Sequence, residues 1–176
     1  MSILNIEFKA SAGNLDELEA MLKQENPVFI GEDLQVDTYF NVAAGRLKLR
    51  EGNIENALIH YHRENIAGSK SSRILLYKHS PDKILKDILT ESLRIKVVVS
   101  KKRKIYFIGN VKFHFDKVQD LGTFVEVEAI DADGSIGKEK LQEQCNHYSS
   151  LFNLEESDYI AVSYSDLLLQ KSGTVA

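Results

Sequence analysis

Alternation of apolar and charged residues with a period of two is the feature that most constrains this fold. It is clearest in VKFHFDKVQDLGTFVEVEA, residues 111–129, where Lys112, His114 and Asp116 alternate with valine and phenylalanine. In a β-strand, successive side chains point to opposite faces of the sheet. Each such segment is therefore predicted to be a strand with one apolar face for a core and one face of ionisable groups.

The same alternation recurs along most of the chain and predicts about eight strands, antiparallel because the turns between them are short. The segments are ILNIEFKA, LQVDTYF, GRLKLRE, NALIHYHRE, SRILLYK, RIKVVVSKKR, KIYFIGNVKFHFDKV and GTFVEVEAI. The seventh segment is expected to fold back at Gly109 and Asn110 in a type I′ or similar hairpin. The predicted fold class is α+β, with strands dominating.

Helical spacing of apolar residues appears in three further segments, GNLDELEAMLKQEN, SPDKILKDILTESL and SIGKEKLQEQCNHYSSLFNL. Asn14 is the predicted N-cap of the first helix, and Ser80 is the predicted N-cap of the second, with Pro81 at its first position. The third helix carries Cys145 on its apolar stripe, so a packed core thiol is expected. SYSDLLLQK near the end predicts a last short turn of helix. The helices would cover the apolar face of the sheet.

Composition excludes some classes of protein. Lys and Arg number 22 against 26 Asp and Glu, a net charge of −4, which disfavours a general nucleic-acid or anionic-membrane binder. Cys145 is the only cysteine, so no internal disulfide can form. The N-terminus lacks signal-peptide features, and no apolar run reaches the roughly 18 residues of a membrane span. A cytoplasmic protein is expected.

The charged faces of the predicted strands carry both signs of charge. If the sheet curls, these side chains converge, so that Lys and Arg hold a polyphosphate while carboxylates hold Mg²⁺ or Mn²⁺. The alternative is an ordinary solvated face of an antiparallel sheet. The residues concerned are Glu7, Lys9, Lys48, Arg50, Arg63, Lys101, Arg103, His114, Asp116, Glu126 and Glu128.

Several of these segments resemble the CYTH superfamily, named for class IV adenylyl cyclases and thiamine triphosphatases. NIEFKA resembles its N-terminal motif Glu-x-Glu-x-Lys, and VDTYFNVAAGRLKLRE, LIHYHRE, VVVSKKRKIYFIGN and FHFDKVQDLGTFVEVEA resemble later strands. The likeness spans nearly the whole chain and is nearest to the class IV cyclase branch. It implies a single CYTH domain over residues 1–176, an antiparallel eight-stranded β-barrel or tunnel with helices packed outside.

The resemblance also implies roles for individual residues. Glu7, Glu126 and Glu128, with Asp116, would hold Mg²⁺ or Mn²⁺, and His114 lies where it could bond a phosphate oxygen. Lys9, Glu7 and Glu126 would be catalytic. The basic residues that would grip the triphosphate are Lys9, Lys48, Arg50, Arg63, Lys101 and Arg103.

Two departures from the family pattern affect the expected site. The first acid of the N-terminal motif is Asn5 here, which offers a neutral oxygen and one charge less for a metal. SSRILLYKH has Leu75 and Tyr77 where many family members alternate acidic residues, so this wall of the tunnel would be less acidic. Arg73 in the same segment would add one phosphate contact.

The implied function is that of an enzyme acting on a triphosphate: ATP, tripolyphosphate or thiamine triphosphate. Attack by water would make it a hydrolase, and attack by a ribose hydroxyl would make it an adenylyl cyclase; both stay open at this point. The alternative, favoured by Asn5, is a non-catalytic module that binds polyphosphate or a nucleotide. A purely structural domain would need the charged faces to point to solvent. The expected partner is a small-molecule triphosphate, without nucleic acid or membrane, in a monomer or homodimer.

Overall fold

Eight antiparallel strands close into a barrel in the computed structural model, which describes residues 3–63 and 67–173. Each strand is hydrogen-bonded to the next in the order β1-β5-β4-β3-β2-β6-β7-β8, and β8 pairs with β1 to close the ring. This confirms the predicted α+β class and eight-stranded tunnel. The strands are β1 (Ile3–Ser11), β2 (Val28–Phe40), β3 (Arg46–Glu51), β4 (Ala57–Arg63), β5 (Lys70–Lys78), β6 (Ile95–Ile108), β7 (Val111–Val118) and β8 (Gly122–Asp131).

Helices lie outside the barrel and across one end of it. They are α1 (Leu15–Lys23), α2 (Lys83–Leu93), α3 (Lys138–Leu151) and α4 (Tyr164–Lys171), with a 3₁₀ turn at Glu156–Asp158. Within the described ranges, none of them combines the length and apolarity that a membrane crossing needs.

The helix caps agree with prediction at α1 and differ at α2. Asn14 Oδ1 accepts a hydrogen bond from the Glu17 amide at 3.3 Å, as expected for the N-cap of α1. At α2 the prediction of Ser80 as N-cap is wrong, because Asp82 Oδ1 accepts from the Ile84 amide at 2.8 Å. The helix therefore begins two residues after Pro81, which precedes the cap instead of opening the helix.

Two strands are longer than predicted. β2 begins at Val28 instead of Leu34, and a register shift between Phe29 and Gly31 marks a bulge in it. β6 joins two predicted strands into one of 14 residues. The hairpin after it turns at Gly109 and Asn110 as predicted, but only Gly109 has a positive φ, whereas a type I′ turn needs two such residues.

The main core lies between the outer face of β1, β7 and β8 and the helices α1 and α3. Its buried side chains include Ile6, Phe8, Phe113, Phe115, Val125, Val127, Leu22, Leu141, Tyr148 and Phe152. Cys145 belongs to this core, as predicted: its thiol donates to the Ile6 carbonyl at 3.2 Å, and burial raises its pKa to about 12. The apolar faces of the strands are thus used outside the barrel, which leaves the charged faces inside.

The two ends of the barrel differ. Inward-facing Tyr39, Tyr61, Val99 and Val118 form a second buried cluster with Phe124, and Tyr164 of α4 packs on Phe124 with ring centroids 5.0 Å apart. This end is closed. Around the other end lie exposed residues of the β3–β4 loop and of the end of β5, namely Ile54, Leu76 and Lys78.

Candidate active site

A cavity of about 390 Å³ occupies the barrel interior. Strand alternation places most of the sequence-predicted site residues in its lining. Those that line it are Glu7, Lys9, Lys48, Arg50, Lys101, Arg103, His114, Glu126 and Glu128. Residues from five strands therefore meet in one concave space, and the solvated-face alternative does not describe this sheet.

Two acidic residues of β8 cluster with a histidine of β7. One donor atom each from His114, Glu126 and Glu128 can be chosen so that all lie within 4.8 Å of one another. Burial would raise the pKa of Glu126, yet Lys9, which lies 3.5 Å away, and His114 and Arg103 hold it well below its usual range. Burial and the charge of Glu126 raise the pKa of Glu128 to about 7. Crowded carboxylates of this kind fit a divalent cation.

The imidazole of His114 lies beside the carboxylates. Its Nδ1 is 3.3 Å from Glu126 Oε2 and 3.7 Å from Glu128 Oε1. Burial, with the charges of Arg103 and Lys112, lowers its pKa to about 3, so the ring is neutral near pH 7. Nδ1 then donates to Glu126, and the buried Nε2, which has no hydrogen-bond partner among the described residues, keeps its lone pair. A neutral imidazole beside two carboxylates is a donor set that suits a divalent metal.

Glu7 lies on β1, next to this cluster, and is directly opposite Glu128 in the β1–β8 register. The amide of Asn5 donates to Glu7 Oε2 at 3.3 Å, and Asn5 itself is 1% exposed and does not line the cavity. Asn5 Oδ1 has no hydrogen-bond partner in the described part of the chain. The residue at the first motif position therefore orients the second acid in this structure.

Three cations on the opposite wall share one carboxylate, that of Asp37 on β2. Asp37 accepts from Lys48 at 3.1 Å, from Arg50 at 2.8 and 2.9 Å and from Lys101 at 2.7 Å. Although burial opposes it, the charge of Arg50 and the two lysines holds the pKa of Asp37 well below its usual range. Asp37 was not among the site residues predicted from the sequence. Its position two residues before Tyr39 in a predicted strand was the available signal.

Of these three cations, Lys101 has the surroundings that least favour its charged form. Burial lowers its pKa to about 7 despite Asp37, since Arg50 and Arg103 repel the charged form. A phosphate group placed among these side chains would add the missing negative charge.

Arg103 is held from behind by Asp116. Arg103 donates to the two oxygens of Asp116 at 2.7 and 2.6 Å and to Glu126 at 3.0 Å. Asp116 is fully buried, does not line the cavity, and also accepts from Tyr164 Oη at 2.7 Å. The prediction that Asp116 is a metal ligand is therefore wrong, because these hydrogen bonds occupy its oxygens and it serves Arg103 instead.

Tyr164 connects α4 to the site. Besides its hydrogen bond to Asp116, its ring lies 3.9 Å from Lys9 Nζ, measured to the ring centroid. A cation over an aromatic face is stabilised by the ring quadrupole. The sequence predicted only a short turn of helix here, since nothing local indicates that the segment returns to the barrel end.

Glu55 and Lys112 also line the cavity and were not among the predicted site residues. Glu55, in the loop before β4, accepts from Lys112, from Arg50 at 2.9 Å and from Gln35 at 3.1 Å. Lys112 and Arg50 lower the pKa of Glu55 although burial acts in the opposite direction. A loop residue has no alternation to reveal it, which is why Glu55 was missed.

One of the predicted basic contacts, Arg73, is not found in the cavity. Arg73 is exposed on the outer face of β5, so its prediction is wrong: Ser72 and Ile74, on either side of it, point inward. Leu75 and Tyr77 are likewise outside, 50% and 67% exposed. The Arg63 side chain lies outside the described residues; its backbone ends β4, opposite Ser72.

Comparison with known proteins agrees with this architecture. The model of the CYTH domain family matches residues 4–164. No curated protein matches the sequence. A conserved hypothetical protein from Pyrococcus furiosus is similar in structure, with a TM-score of 0.78, 21% identity and coverage of 93% of this chain and 99% of that one.

Two further solved structures share the fold. One is a candidate adenylate cyclase from Vibrio parahaemolyticus, with 19% identity, a TM-score of 0.75 and coverage of 94% and 97%. The other is a candidate adenylyl cyclase from Hippeastrum for which a dominant triphosphatase activity was found, with 14% identity, a TM-score of 0.62 and coverage of 100% and 98%. At these identities the likeness concerns the fold alone. The family model covers most of the sequence, and the chain belongs to the CYTH domain family.

Proposed function

We propose that this protein is a divalent-metal-dependent enzyme that acts on a triphosphate bound inside the barrel. The observation that carries the proposal is the division of one cavity into an acidic wall, with Glu126, Glu128 and His114, and a cationic wall, with Arg50 and Lys101. A triphosphate needs both, because cations pair with its oxygens and carboxylates hold the metal that bridges them. The triphosphatase activity found for the Hippeastrum protein of the same fold supports this assignment.

The metal site would consist of Glu7, Glu126 and Glu128, with His114 beside them as a further donor. Mg²⁺ or Mn²⁺ held there would neutralise and orient the phosphate chain. Lys9 and Arg103, which flank Glu126, would stabilise negative charge that develops on the transferring group and the leaving group. Asp116 keeps the guanidinium of Arg103 in place for this role.

The same apparatus supports two reactions. If the oxygen of a water molecule attacks the terminal phosphorus, the bond to the bridging oxygen breaks and orthophosphate and a diphosphate are released. If the 3′-hydroxyl of ATP attacks the α-phosphorus, the bond between that phosphorus and the bridging oxygen breaks, which yields cyclic AMP and pyrophosphate. In both reactions the nucleophile's proton passes to solvent.

The other candidate function is a binding module without turnover, for which Asn5 is the motivating observation. Asn5 removes one negative charge beside Glu7, which weakens a metal site while every cation in the cavity is kept. A module of this kind would bind tripolyphosphate equally well in EDTA. An enzyme would lose turnover there.

The test measures orthophosphate, pyrophosphate and cyclic AMP released from ATP, tripolyphosphate and thiamine triphosphate in Mg²⁺ or Mn²⁺. Wild type is compared with Glu126→Gln and with Glu143→Gln, a matched change at an exposed acid of α3. We expect EDTA to abolish turnover, Glu126→Gln to lower it by at least about a hundredfold, and Glu143→Gln to leave it unchanged.

The products distinguish hydrolase from cyclase. Turnover that is equal in Glu126→Gln and wild type would place the chemistry outside the acidic wall and refute the assignment. Binding of all three compounds without turnover in either metal would favour the binding module.

A further inference from the structure

The interior of the barrel has a third wall, which is aliphatic. On β4 and β5 the inward positions that line the cavity include Ala57, Ile59, Ile74 and Leu76, and Ile54 of the preceding loop adjoins them. The β4–β5 register places Leu76 opposite Ile59, and the β3–β4 register places Ile59 opposite Lys48. The aliphatic wall is therefore continuous with the cationic wall.

Packing explains only part of this aliphatic wall. Ala57 and Ile59 are 5% and 7% exposed and belong to the buried cluster that includes Tyr39 and Tyr61. Leu76 and Ile54 are 42% and 37% exposed at the open end. Such carbon surface in a concave, charged site becomes favourable when the carbon of a ligand covers it.

Two polar atoms in the cavity lining accompany the aliphatic wall. Ser72 Oγ and His79 Nε2 are both buried and have no hydrogen-bond partner among the described residues. His79 Nδ1 lies 2.6 Å from the Ser80 carbonyl, which can only accept, so Nδ1 carries the proton. In the neutral ring Nε2 is then an acceptor. A ligand that has both carbon surface and hydrogen-bonding groups fits this wall.

We infer that the substrate is an organic triphosphate, whose apolar or aromatic group lies against Ile54, Ile59, Ile74 and Leu76 while its phosphates lie between the charged walls. This inference rests on the proposed function. Inorganic tripolyphosphate is charged at both ends, so it would leave the exposed carbon of Leu76 and Ile54 uncovered and Ser72 and His79 without a carbon-borne partner. Residues of β5 and of the loop before β4 would therefore discriminate between organic triphosphates and inorganic tripolyphosphate.

The test compares two neighbouring leucines that point to opposite faces of β5. Leu76→Ser changes the aliphatic wall, and Leu75→Ser makes the same change on the outer face, where Leu75 is 50% exposed. Since both side chains are substantially exposed, both variants should fold. The measured quantity is the ratio of kcat/KM for ATP or thiamine triphosphate to kcat/KM for tripolyphosphate.

We expect wild type to favour at least one organic triphosphate by about tenfold or more, and Leu76→Ser to lower that ratio by about tenfold. Leu75→Ser should keep the wild-type ratio. Turnover of tripolyphosphate at or above that of both organic compounds, or equal ratios in the two variants, would overturn the inference.

Failure of the proposed function is separable from failure of this inference. If wild type turned over none of the three compounds, the enzyme assignment would fail, and calorimetric titration of the same compounds would decide the inference. Tighter binding of an organic triphosphate than of tripolyphosphate, lost in Leu76→Ser, would support it. Equal or tighter binding of tripolyphosphate would overturn it.

Discussion

At the scale of single residues, the cavity shows how ionisable groups are kept inside a barrel. The buried cations of the cavity pair with carboxylates, but the carboxylates are shared unequally: Asp37 alone accepts from Lys48, Arg50 and Lys101. Burial, with repulsion from Arg50 and Arg103, leaves Lys101 with a pKa of about 7 although Asp37 lies beside it. An incoming anion would change this side chain most, because charged and neutral lysine are close in free energy there.

Lys101 should therefore take up a proton when tripolyphosphate binds. Below pH 7 the Lys101 side chain is already charged, so binding requires no proton uptake. Above pH 7 it is mostly neutral and must be protonated when the anion raises its pKa. The affinity for tripolyphosphate should therefore fall as pH rises above about 7. Calorimetry in EDTA at pH 8, in two buffers of different ionisation enthalpy, measures the uptake. We expect Lys101→Gln to take up fewer protons than wild type and to show a flatter fall of affinity between pH 7 and 9.

The matched control is Lys102→Gln, the next residue along β6, which points outward and pairs with Glu32 at 2.9 Å. Titration of tripolyphosphate itself is common to all three proteins and cancels in the comparison. Equal proton uptake by the two variants would show that Lys101 is not the group that titrates.

At the scale of elements, α4 does more than close the barrel. Its first residue, Tyr164, donates to Asp116, and Asp116 in turn holds Arg103. Arg46 of β3 pairs with Asp166 at 2.8 Å, which fixes the same helix to the far side of the ring. Through Asp116, the helix therefore supports Arg103, although the charged residues of the helix form no ion pair with it.

Tyr164→Phe removes the hydroxyl and keeps the ring over Lys9. We expect the free energy of unfolding to fall by about 2 kcal/mol, since the lost hydrogen bond has a charged acceptor and Asp116 is fully buried. Urea denaturation measures the difference. Tyr77→Phe, on the outer face and 67% exposed, should stay within about 0.5 kcal/mol of wild type. A loss no larger in Tyr164→Phe than in Tyr77→Phe would mean that the hydroxyl does not support Asp116.

Elements with regular alternation were predictable from sequence, and those set by distant contacts were not. Lys112, His114 and Asp116 were expected on one face of β7, and the barrel places them there because side-chain direction depends only on the period of two. Glu55 and Tyr164 escaped because a loop and a returning helix acquire their positions from contacts 57 and 48 residues away in sequence. Asp116 was assigned to the right face but to the wrong partner, since a strand pattern does not show which charges are already paired.

At the scale of the whole molecule, an acidic protein encloses a group of cations inside its barrel. The net charge is −4, yet Lys9, Lys48, Arg50, Lys101, Arg103 and Lys112 all face one cavity of about 390 Å³. Closure of β8 on β1 removes the sheet edges and fixes the distance between the acidic and cationic walls. These like charges repel one another, so the stability of the fold should be sensitive to an anion that binds among them.

Tripolyphosphate should therefore raise the melting temperature even in EDTA. A ligand at about a hundredfold its Kd stabilises the folded state by about 2.7 kcal/mol. For a chain of 176 residues this corresponds to roughly 5–10 °C. Thermal unfolding with tripolyphosphate, compared with sulfate at equal ionic strength, separates enclosed binding from general screening, because sulfate is a single anionic group and pairs with fewer of the cations than a chain of three phosphates does. Equal shifts of the melting temperature with both anions would mean that the cations attract anions in general and form no specific site for a triphosphate. The binding would then weaken with added salt, as it does for surface charges.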